Sequence, residues 1–526
     1  MIFRLLMDML VMDYLLPLSP SLLALFLAFT TRRVILSLFC AVLLGSFILH
    51  DYAPIESVIA VYKDGIFNQL KGSNAQIIIV ITIISGFIYL LESSKAMTAF
   101  SQSITRYVST PAKLKTGTWL SGIAIFFTDS GNSLILGPIY RPLYDKMKIC
   151  REKLALIIDS TSSPVCVLIP VISWGVYSMG LMEKAYTNVG LEKDGLALFK
   201  EVWLFQLYPL LTLIGLFFII VFGVNLGKMK QAQQDCETGK SEYLAESDIT
   251  TNDSVNPLID MNAVQQYGAK TVALALSSLA LCMAALFFYF TRGVSGSAEA
   301  KLVGSEIRTA LAVSYSVASV ITILALSRFG IRKMSASADS FFQGMGKITS
   351  ILCILLLAWT LSDILKALDT GAVIATMLQQ LNFPIWLLAS TIFIIGAFLS
   401  IATGSSWGTF ALLIPIVAPI AYSLDASIIL CFAAALSGGL FGDHCSPISD
   451  TTVLSSMSSG VNHINHVETQ MPYAMTTAFF TFIGFILASI TGSNLTVLIM
   501  ASAMGSFYFL YSKSQQGKLT HENNLS

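Results

Sequence analysis

The sequence contains little charge. Asp, Glu, Lys and Arg make up 12% of its 526 residues, against about 25% in an ordinary soluble protein. The 31 basic and 31 acidic side chains cannot cover the several domains that a soluble chain of this length would form. This shortage excludes a soluble enzyme and a disordered protein. The formal net charge is zero, which leaves no basic surface for nucleic acid, so neither DNA nor RNA is expected as a partner.

Paired cysteines and common cofactor motifs are also missing from the sequence. The eight cysteines are scattered and show no spacing typical of a disulfide framework or a zinc site. There is no HExxH motif of a metalloprotease and no GxxxxGK motif of an ATP-driven pump. We therefore expect no cofactor and no resident metal. The N-terminal apolar stretch contains Asp8 and Asp13 but no cleavage site of small residues, so we expect mature chain rather than a signal peptide.

Hydrophobic residues are in excess, at 55% of the chain. A membrane-spanning helix needs about 20 mostly apolar residues. Runs of this kind lie near 14–31, 34–50, 76–91, 203–226, 269–291, 306–327, 347–362, 473–490 and 492–511. Three further apolar regions, 117–140, 152–182 and 383–457, are interrupted by Gly, Pro, Ser, Thr and Asp. The sequence therefore predicts an all-α polytopic membrane protein surrounded by membrane lipid.

The distribution of Lys and Arg predicts two re-entrant hairpins. Short cytoplasmic loops collect these residues, and they are concentrated both before the region 117–140, at Lys113 and Lys115, and after it, within 141–153. A stretch that begins and ends on the cytoplasmic side cannot cross once, so we expect a hairpin with its turn at Thr128–Ser133. The same reasoning predicts a second hairpin at 383–424, which opens outside and has its polar centre at Thr403–Thr409. The prediction is about 11 spans plus two hairpins, with a cytoplasmic C-terminus.

The two hairpin regions resemble each other when the sequence is shifted by 277 residues. Five residues are then identical: Gly131 falls on Gly408, Leu136 on Leu413, Pro138 on Pro415, Ile139 on Ile416 and Pro142 on Pro419. Two copies of opposite orientation are typical of secondary transporters, which bind their substrates near the midplane at discontinuous helices. We therefore expect two inverted-topology repeats, at 14–226 and 269–490, each with a re-entrant hairpin and a broken transmembrane helix. Residues 227–268 would be a polar cytoplasmic linker, and 491–526 an extra C-terminal span and tail.

Polar side chains concentrate at the hairpin turns and at two proline-containing breaks, 159–164 and 442–452. Proline interrupts a helix and frees backbone carbonyls, and hydroxyls and carboxylates add further oxygen ligands for a small hard cation. A carboxylate in hydrocarbon is costly unless it is paired, hydrated or protonated. A site that holds either a proton or a cation, but not both, is an exchanger. The candidate cation- and proton-binding residues are Asp129, Asn132, Ser133, Asp159, Ser160, Thr161, Ser405, Thr409, Asp443, His444, Ser446, Asp450 and Thr451.

Other roles remain open for some of these residues. Asp159, Asp443 and Asp450 could cap helix fragments, and Asp129 could brace the hairpin turn. His444 could relay protons or only bond the backbone, whereas His463 and His466 are predicted to lie in a loop. Asp159 is favoured over Asp443 as the proton carrier, because its neighbours in the sequence are hydroxyl residues without a histidine.

The second break carries the most distinctive motif of the chain. The run Gly442–Ser456 resembles the signature of the NhaC-type sodium/proton antiporter family, and Asp129–Ser133, Arg151–Thr161, Ala358–Leu361 and Thr403–Thr409 resemble that family too. The resemblance implies inverted repeats with re-entrant hairpins, and exchange of sodium for protons across a bacterial inner membrane. Some members of the family couple sodium and protons to organic acids such as malate and lactate.

We therefore expect a sodium/proton antiporter whose substrates are Na⁺ and H⁺, and a homodimer is left open. One alternative is an exchanger of organic acids or amino acids on the same scaffold. It is disfavoured because Arg141 is the only basic residue in the motif regions. The other is an intramembrane aspartyl protease. Its Gly-x-Gly-Asp motif is not met, because Leu440 stands where a glycine is required and Asp145 lies in a charged cytoplasmic stretch.

Overall fold

The computed structural model describes residues 15–105, 110–241, 259–293 and 304–523. Within these ranges the regular structure is helical, apart from an isolated bridge between Ile259 and Arg332. The helix Pro54–Ala60 continues through a π-helical stretch, Val61–Ile66, into Phe67–Gln69. The helices of the first half are α1 Leu16–Thr31, α2 Val34–Leu49, α3 Pro54–Ala60, α4 Gly72–Ser93, α5 Ala96–Thr105, α6 Pro111–Ala124, α7 Asp129–Lys146, α8 Arg151–Ser160, α9 Ser163–Cys166, α10 Ser173–Asn188, α11 Gly195–Trp203 and α12 Leu207–Phe222.

The second half is built of longer helices. A short 3₁₀ turn, Ile385–Leu387, precedes the helix Leu388–Thr403. The helices are α13 Lys228–Thr238, α14 Met261–Gly293, α15 Gly304–Arg328, α16 Met334–Lys347, α17 Thr349–Ala367, α18 Thr370–Gln380, α19 Leu388–Thr403, α20 Ser406–Ser423, α21 Ile428–Cys445, α22 Asp450–Ser459, α23 His463–Thr491 and α24 Thr496–Asn523.

Many of these helices are suited to a membrane. In the described part of the chain, eight helices are long and apolar enough to cross it, or nine if the pair α11 and α12, bent by 47°, is one span. Helices α1 and α2 are apolar but shorter. The predicted class, an all-α polytopic membrane protein, is confirmed. The count of 11 spans plus two hairpins stays a prediction.

Both predicted hairpins are pairs of helices joined by short connections, 125–128 in the first and 404–405 in the second. The predicted first turn, Thr128–Ser133, is misplaced, because Asp129–Ser133 form the start of α7 and the connection before it is mostly apolar. In the first hairpin, formed by α6 and α7, the Thr128 hydroxyl caps the second helix by accepting from the Gly131 amide. In the second hairpin, formed by α19 and α20, Gly404 adopts a left-handed φ of 65°, and the Ser405 hydroxyl accepts from the Gly408 amide. Helix α6 has 14 residues, or about 21 Å. It is therefore shorter than a hydrocarbon core of about 30 Å, as a re-entrant arm would be.

The internal repeat extends to the helix boundaries. The shift of 277 residues places α7, 129–146, on α20, 406–423, with identical ends. It also places the first residues of α6 and α8 on those of α19 and α21. In each copy the hairpin is followed by an interrupted helix. The first interruption follows Ser160, and the second separates Cys445 from Asp450.

The hairpins pack reciprocally between the two halves. Helix α7 of the first hairpin packs against α22, which follows the break in the second half. Helix α20 of the second hairpin packs against α10, which follows the break in the first half. Each hairpin also packs against the helix that leads into the break of its own half. The polar segments of both halves are thereby brought to one central region.

The segment predicted as a linker contains a helix. Helix α13 lies within 227–268, and the Gln233 amide nitrogen donates to the Lys148 carbonyl while its oxygen accepts from the Cys150 amide. Residues 242–258 lie outside the described residues, as do residue 14 and the last three residues of the tail. Helix α14 begins at Met261, eight residues before the predicted start of the second repeat. The division into 14–226 and 269–490 stays a proposal.

Candidate ion-binding site

Asp159 is the centre of the polar region. It lies in the last turn of α8, and 1% of its surface is exposed. Its Oδ2 atom accepts hydrogen bonds from the Thr452 hydroxyl at 3.0 Å and from the Gln470 amide at 2.6 Å. Its Oδ1 atom accepts from the Ser455 hydroxyl at 3.4 Å. Asp159 is thus a first-half carboxylate held by neutral donors from the second half.

Two histidines also face Asp159. The Nε2 atom of His466 lies 3.5 Å from Asp159 Oδ2, and that of His444 lies 4.0 Å away. His444 shares hydrogen bonds with Ser160 at 3.0 Å and with the Tyr208 hydroxyl at 2.8 Å. The expectation that Asp159 has only hydroxyl neighbours is therefore wrong, because helices distant in sequence bring in both imidazoles.

Gln470 connects Asp159 to the second broken helix. Its amide nitrogen donates to Asp159 Oδ2 and, at 2.8 Å, to the backbone carbonyl of His444 near the end of α21. The Gln470 oxygen is buried and has no hydrogen-bond partner among the described residues. It remains available as an acceptor beside the carboxylate.

Asp443 joins the second break to the second hairpin turn. Its Oδ2 atom accepts from the Ser406 hydroxyl at 2.9 Å. Its Oδ1 atom is buried and has no hydrogen-bond partner in the part of the chain that the structure describes. A buried carboxylate oxygen without a donor is costly, and a bound cation or proton would satisfy it.

Asn132 joins the first hairpin turn to the first break in a similar way. Its amide nitrogen donates to the carbonyl of Thr161 at 2.7 Å and to that of Gly122 at 3.3 Å. The Asn132 oxygen is buried without a partner among the described side chains and backbone. The neighbouring Ser133 hydroxyl bonds that of Ser455 at 2.8 Å, which ties this turn to the donors of Asp159.

The structure therefore brings six of the predicted residues into one connected region: Asn132, Ser133, Asp159, Ser160, Asp443 and His444. Thr161 borders this region through its carbonyl, while its hydroxyl donates to the Ile157 carbonyl at 2.8 Å.

The remaining predicted residues bond backbone and hydroxyl groups of the turns and breaks rather than the Asp159 carboxylate. Asp129 accepts from the Ser130 amide, and Asp450 is exposed and accepts from the Thr451 amide. The Thr409 hydroxyl donates to the Ser405 carbonyl, and that of Ser446 to the Ile401 carbonyl. The Thr451 hydroxyl bonds that of Ser449. These contacts brace the turns and breaks and leave hydroxyl lone pairs unused.

Sequence reasoning missed Ser406, Thr452, Ser455, His466 and Gln470 as site residues. His463 and His466 were expected in a loop, but both belong to α23, and His466 is fully buried. A signal for the two missed residues of α23 was present. His466 and Gln470 are four residues apart and therefore share one face of a helix.

Trp407 and Glu92 make contacts at the hairpin turns. Trp407 at the second turn packs against Trp174, with 4.5 Å between ring centroids, and against Tyr177 at 4.7 Å. The Tyr177 hydroxyl donates to the Trp407 carbonyl at 2.8 Å. Glu92 accepts a hydrogen bond from the Thr128 hydroxyl at the first turn. Both residues thus hold the hairpin turns in place.

Comparison with known proteins identifies the family. The family model described as "Na+/H+ antiporter family" matches residues 165–490. The chain belongs to this family. The match includes Asp443 and Gln470 but begins after Asp159 and the first hairpin. Na⁺/H⁺ antiporters are secondary transporters, so the protease alternative is discarded.

Relatives of this antiporter come from two bacteria. An uncharacterized protein of Haemophilus influenzae is 31% identical over 492 residues, 90% of this chain and 91% of the relative. Two shorter matches of 124 residues cover 26% of each relative. They are a malate-2H⁺/Na⁺-lactate antiporter of Bacillus subtilis, 37% identical over 22% of this chain, and an uncharacterized Na⁺/H⁺ antiporter of Haemophilus influenzae, 31% identical over 23%.

Two solved transporters share the fold of this antiporter. The YdaH transporter of Alcanivorax borkumensis matches with a TM-score of 0.58 at 14% identity, over 84% of this chain and 90% of that one. MtrF of Neisseria gonorrhoeae, whose description refers to a class of antimetabolite efflux pumps, matches with a TM-score of 0.55 at 14% identity, over 82% and 85%. At these identities the likeness concerns the fold alone.

Proposed function

We propose that this antiporter exchanges Na⁺ for H⁺ and that Asp159 is the carboxylate for which the two ions compete. The observation that carries the proposal is the environment of Asp159. It is fully buried, and its oxygens accept from the neutral donors Thr452, Ser455 and Gln470. A carboxylate buried in this way requires either a proton or a cation for neutralisation.

The chemistry of the exchange follows from this competition. The ionised carboxylate, with nearby hydroxyl oxygens and the unpaired oxygen of Gln470, offers Na⁺ hard oxygen ligands. Protonation removes the negative charge and releases the cation. Below the pKa of the site, a one-proton competition lowers the apparent Na⁺ affinity about tenfold per pH unit, or about 1.36 kcal/mol. The proton gradient of a bacterial inner membrane would then drive Na⁺ outward.

Asp443 and Asn132 would contribute further cation-binding positions at the hairpin turns. Each has a buried oxygen without a donor among the described residues, and each connects a turn to a break of its own half. Thr161, Ser405, Thr409, Ser446 and Thr451 would provide additional hydroxyl or carbonyl oxygens. Asp129 and Asp450 are proposed to act at the edge of the region, where ions approach.

The decisive experiment is transport by the purified protein in liposomes. Na⁺ should dissipate an imposed pH gradient, and the Na⁺ concentration for half-maximal rate should rise as the pH falls. Asp159→Asn should abolish the exchange, because an amide cannot trade a proton for a cation. Asp194→Asn is the matched control. Asp194 caps α11 through the Leu196 and Ala197 amides, and Asn caps equally well.

The local similarity to a malate-2H⁺/Na⁺-lactate antiporter favours one second candidate, an exchanger of organic acids. The same liposomes are therefore tested with malate and lactate on opposite sides. Na⁺-driven proton movement without organic acids supports the ion-only exchanger. Movement that strictly requires them would replace it with the second candidate, and robust exchange by Asp159→Asn would contradict the role of this carboxylate.

A further inference from the structure

His466 is a buried imidazole whose ring nitrogens have no hydrogen-bond partner among the described residues. It lies in the first half of α23, and none of its surface is exposed. Its Nε2 atom is 3.5 Å from Asp159 Oδ2. Buried polar groups in native proteins are almost always hydrogen-bonded. His466 Nε2 faces the Asp159 carboxylate, so the buried Nδ1 atom, which has no partner among the described residues, requires an explanation.

A second unpaired group, Glu152, lies on the same helix as Asp159. Glu152 stands two turns before Asp159 on the same face of α8, about 10 Å along the axis. Its side chain is buried, and its Oε2 atom has no hydrogen-bond partner in the described ranges. The Glu152 carboxylate interacts electrostatically with His466. His466 therefore contacts one carboxylate of α8, Asp159, and interacts electrostatically with a second, Glu152.

Glu152 opens onto a surface cavity, which we call the Glu152 cavity. It has a volume of about 350 Å³ and is lined by Glu152, Asp235, Glu468, Lys228, Asn465 and Thr469, among others. The distribution of Lys and Arg assigns this face to the cytoplasm. Three carboxylates and two lysines, Lys228 and Lys240, line the cavity, and it reaches within one helical turn of His466, at Asn465 and Thr469.

The charges around His466 come from several helices. Asp159 and Glu152 face it from α8, and His444 from α21. Arg151 and Asp235 act on Glu152, and Cys445 interacts with Asp159. A proton on His466 would thus be stabilised by two carboxylates and opposed chiefly by His444.

We propose that His466 relays protons between Asp159 and Glu152, so that the Glu152 cavity is the cytoplasmic proton port of this antiporter. The inference rests on the proposed exchange at Asp159. In the direction of proton release, the neutral imidazole accepts the proton of the Asp159 carboxyl and becomes imidazolium. Its other nitrogen then gives a proton to the Glu152 carboxylate, which releases it to solvent. Ring rotation restores the original tautomer.

A separate proton route predicts that proton transfer can be slowed without loss of Na⁺ binding. The test variant is His466→Gln, which keeps a polar side chain but cannot carry a proton. Two rates are measured in liposomes: Na⁺/H⁺ exchange, and exchange of radioactive Na⁺ for unlabelled Na⁺, which requires no proton transfer. We expect Na⁺/H⁺ exchange to fall at least about a hundredfold, the lower end of the loss seen when an acid–base group is removed, and Na⁺/Na⁺ exchange to stay within about twofold.

Two further variants complete the test. Glu152→Gln should also slow Na⁺/H⁺ exchange selectively, and it decides the question alone if His466→Gln does not fold. His50→Gln is the control, because His50 lies in the loop after α2, outside the site, and its side chain bonds only Ser46 in the part of the chain that the structure describes. It should change neither rate.

The outcomes separate the relay from the antiport itself. Unchanged Na⁺/H⁺ exchange in both variants would overturn the relay, and so would equal loss of both kinds of exchange, which would assign His466 to the Na⁺ site. A wild-type protein that performs Na⁺/Na⁺ exchange but never moves protons would contradict the proposed function instead.

Discussion

Gly122→Ala probes the contact between the first hairpin and the first break. Gly122 lies near the end of α6, where a Cβ atom would come within 2.0 Å of the Thr161 hydroxyl oxygen and 2.6 Å of Thr161 Cβ. An ordinary contact is at least 3.4 Å, so α6 and the break must separate by roughly 0.8 Å to clear Thr161 Cβ (3.4 − 2.6 Å), and the Thr161 hydroxyl must also rotate away. Asn132 bonds the carbonyls of both residues, and this displacement would break at least one of those bonds.

The expected magnitude is the balance of three effects. Overpacking costs about 1–3 kcal/mol, and loss of one Asn132 hydrogen bond adds about 1 kcal/mol. Replacing glycine by alanine within a helix stabilises the folded state by up to about 1 kcal/mol. The net expectation is a loss of about 1–3 kcal/mol of stability, together with weaker Na⁺ binding, because the Asn132 oxygen is no longer held in place.

The assay is thermal unfolding of the purified protein, with and without Na⁺, followed by the Na⁺ dependence of transport. Gly346→Ala is the matched control. Gly346 also lies in a helix, but a Cβ atom there meets no atom within 4 Å, so stability should stay equal or rise slightly. If Gly122→Ala unfolds at the wild-type temperature and binds Na⁺ normally, the close packing of hairpin and break is refuted.

Two further predictions concern topology and the Asp159 site. Single cysteines at Ser130 and Ser405 should react with membrane-impermeant thiol reagents from opposite faces, Ser130 from the cytoplasm, and labelling of both from one face would disprove the inverted topology. Gln470→Leu should raise the Na⁺ concentration for half-maximal transport about tenfold or more at neutral pH. A donor to a charged group is worth about 1.5–3 kcal/mol, and without it the proton competes better for Asp159; an unchanged Na⁺ dependence would contradict this reasoning.

The sequence predicts most of the local architecture of the site. A polar turn or a proline-containing break is conspicuous within an apolar run, because lipid-facing helices seldom contain either. The paired prolines at 138 and 142, and at 415 and 419, place the repeat in register, and the helix ends agree with this register. Asp159, Asp443 and Asn132 can therefore be selected from the residue pattern alone.

The contacts between distant segments could not be predicted from one sequence. Thr452 and Gln470 are about 300 residues from Asp159, and no local pattern connects them. The number of spans could not be predicted from the sequence for another reason. Length and hydropathy cannot separate a full crossing from the arm of a hairpin, and α20, with 18 residues, satisfies both descriptions.

The reciprocal packing of the hairpins restricts how the two halves can diverge. Part of the surface against which α7 packs belongs to α22, and part of the surface against which α20 packs belongs to α10. A substitution on either hairpin must therefore fit the packing surface of the opposite half as well as that of its own half. A change in one half requires a compensating change in the other half. The sequence similarity between the two copies should therefore be retained longest in the hairpin helices.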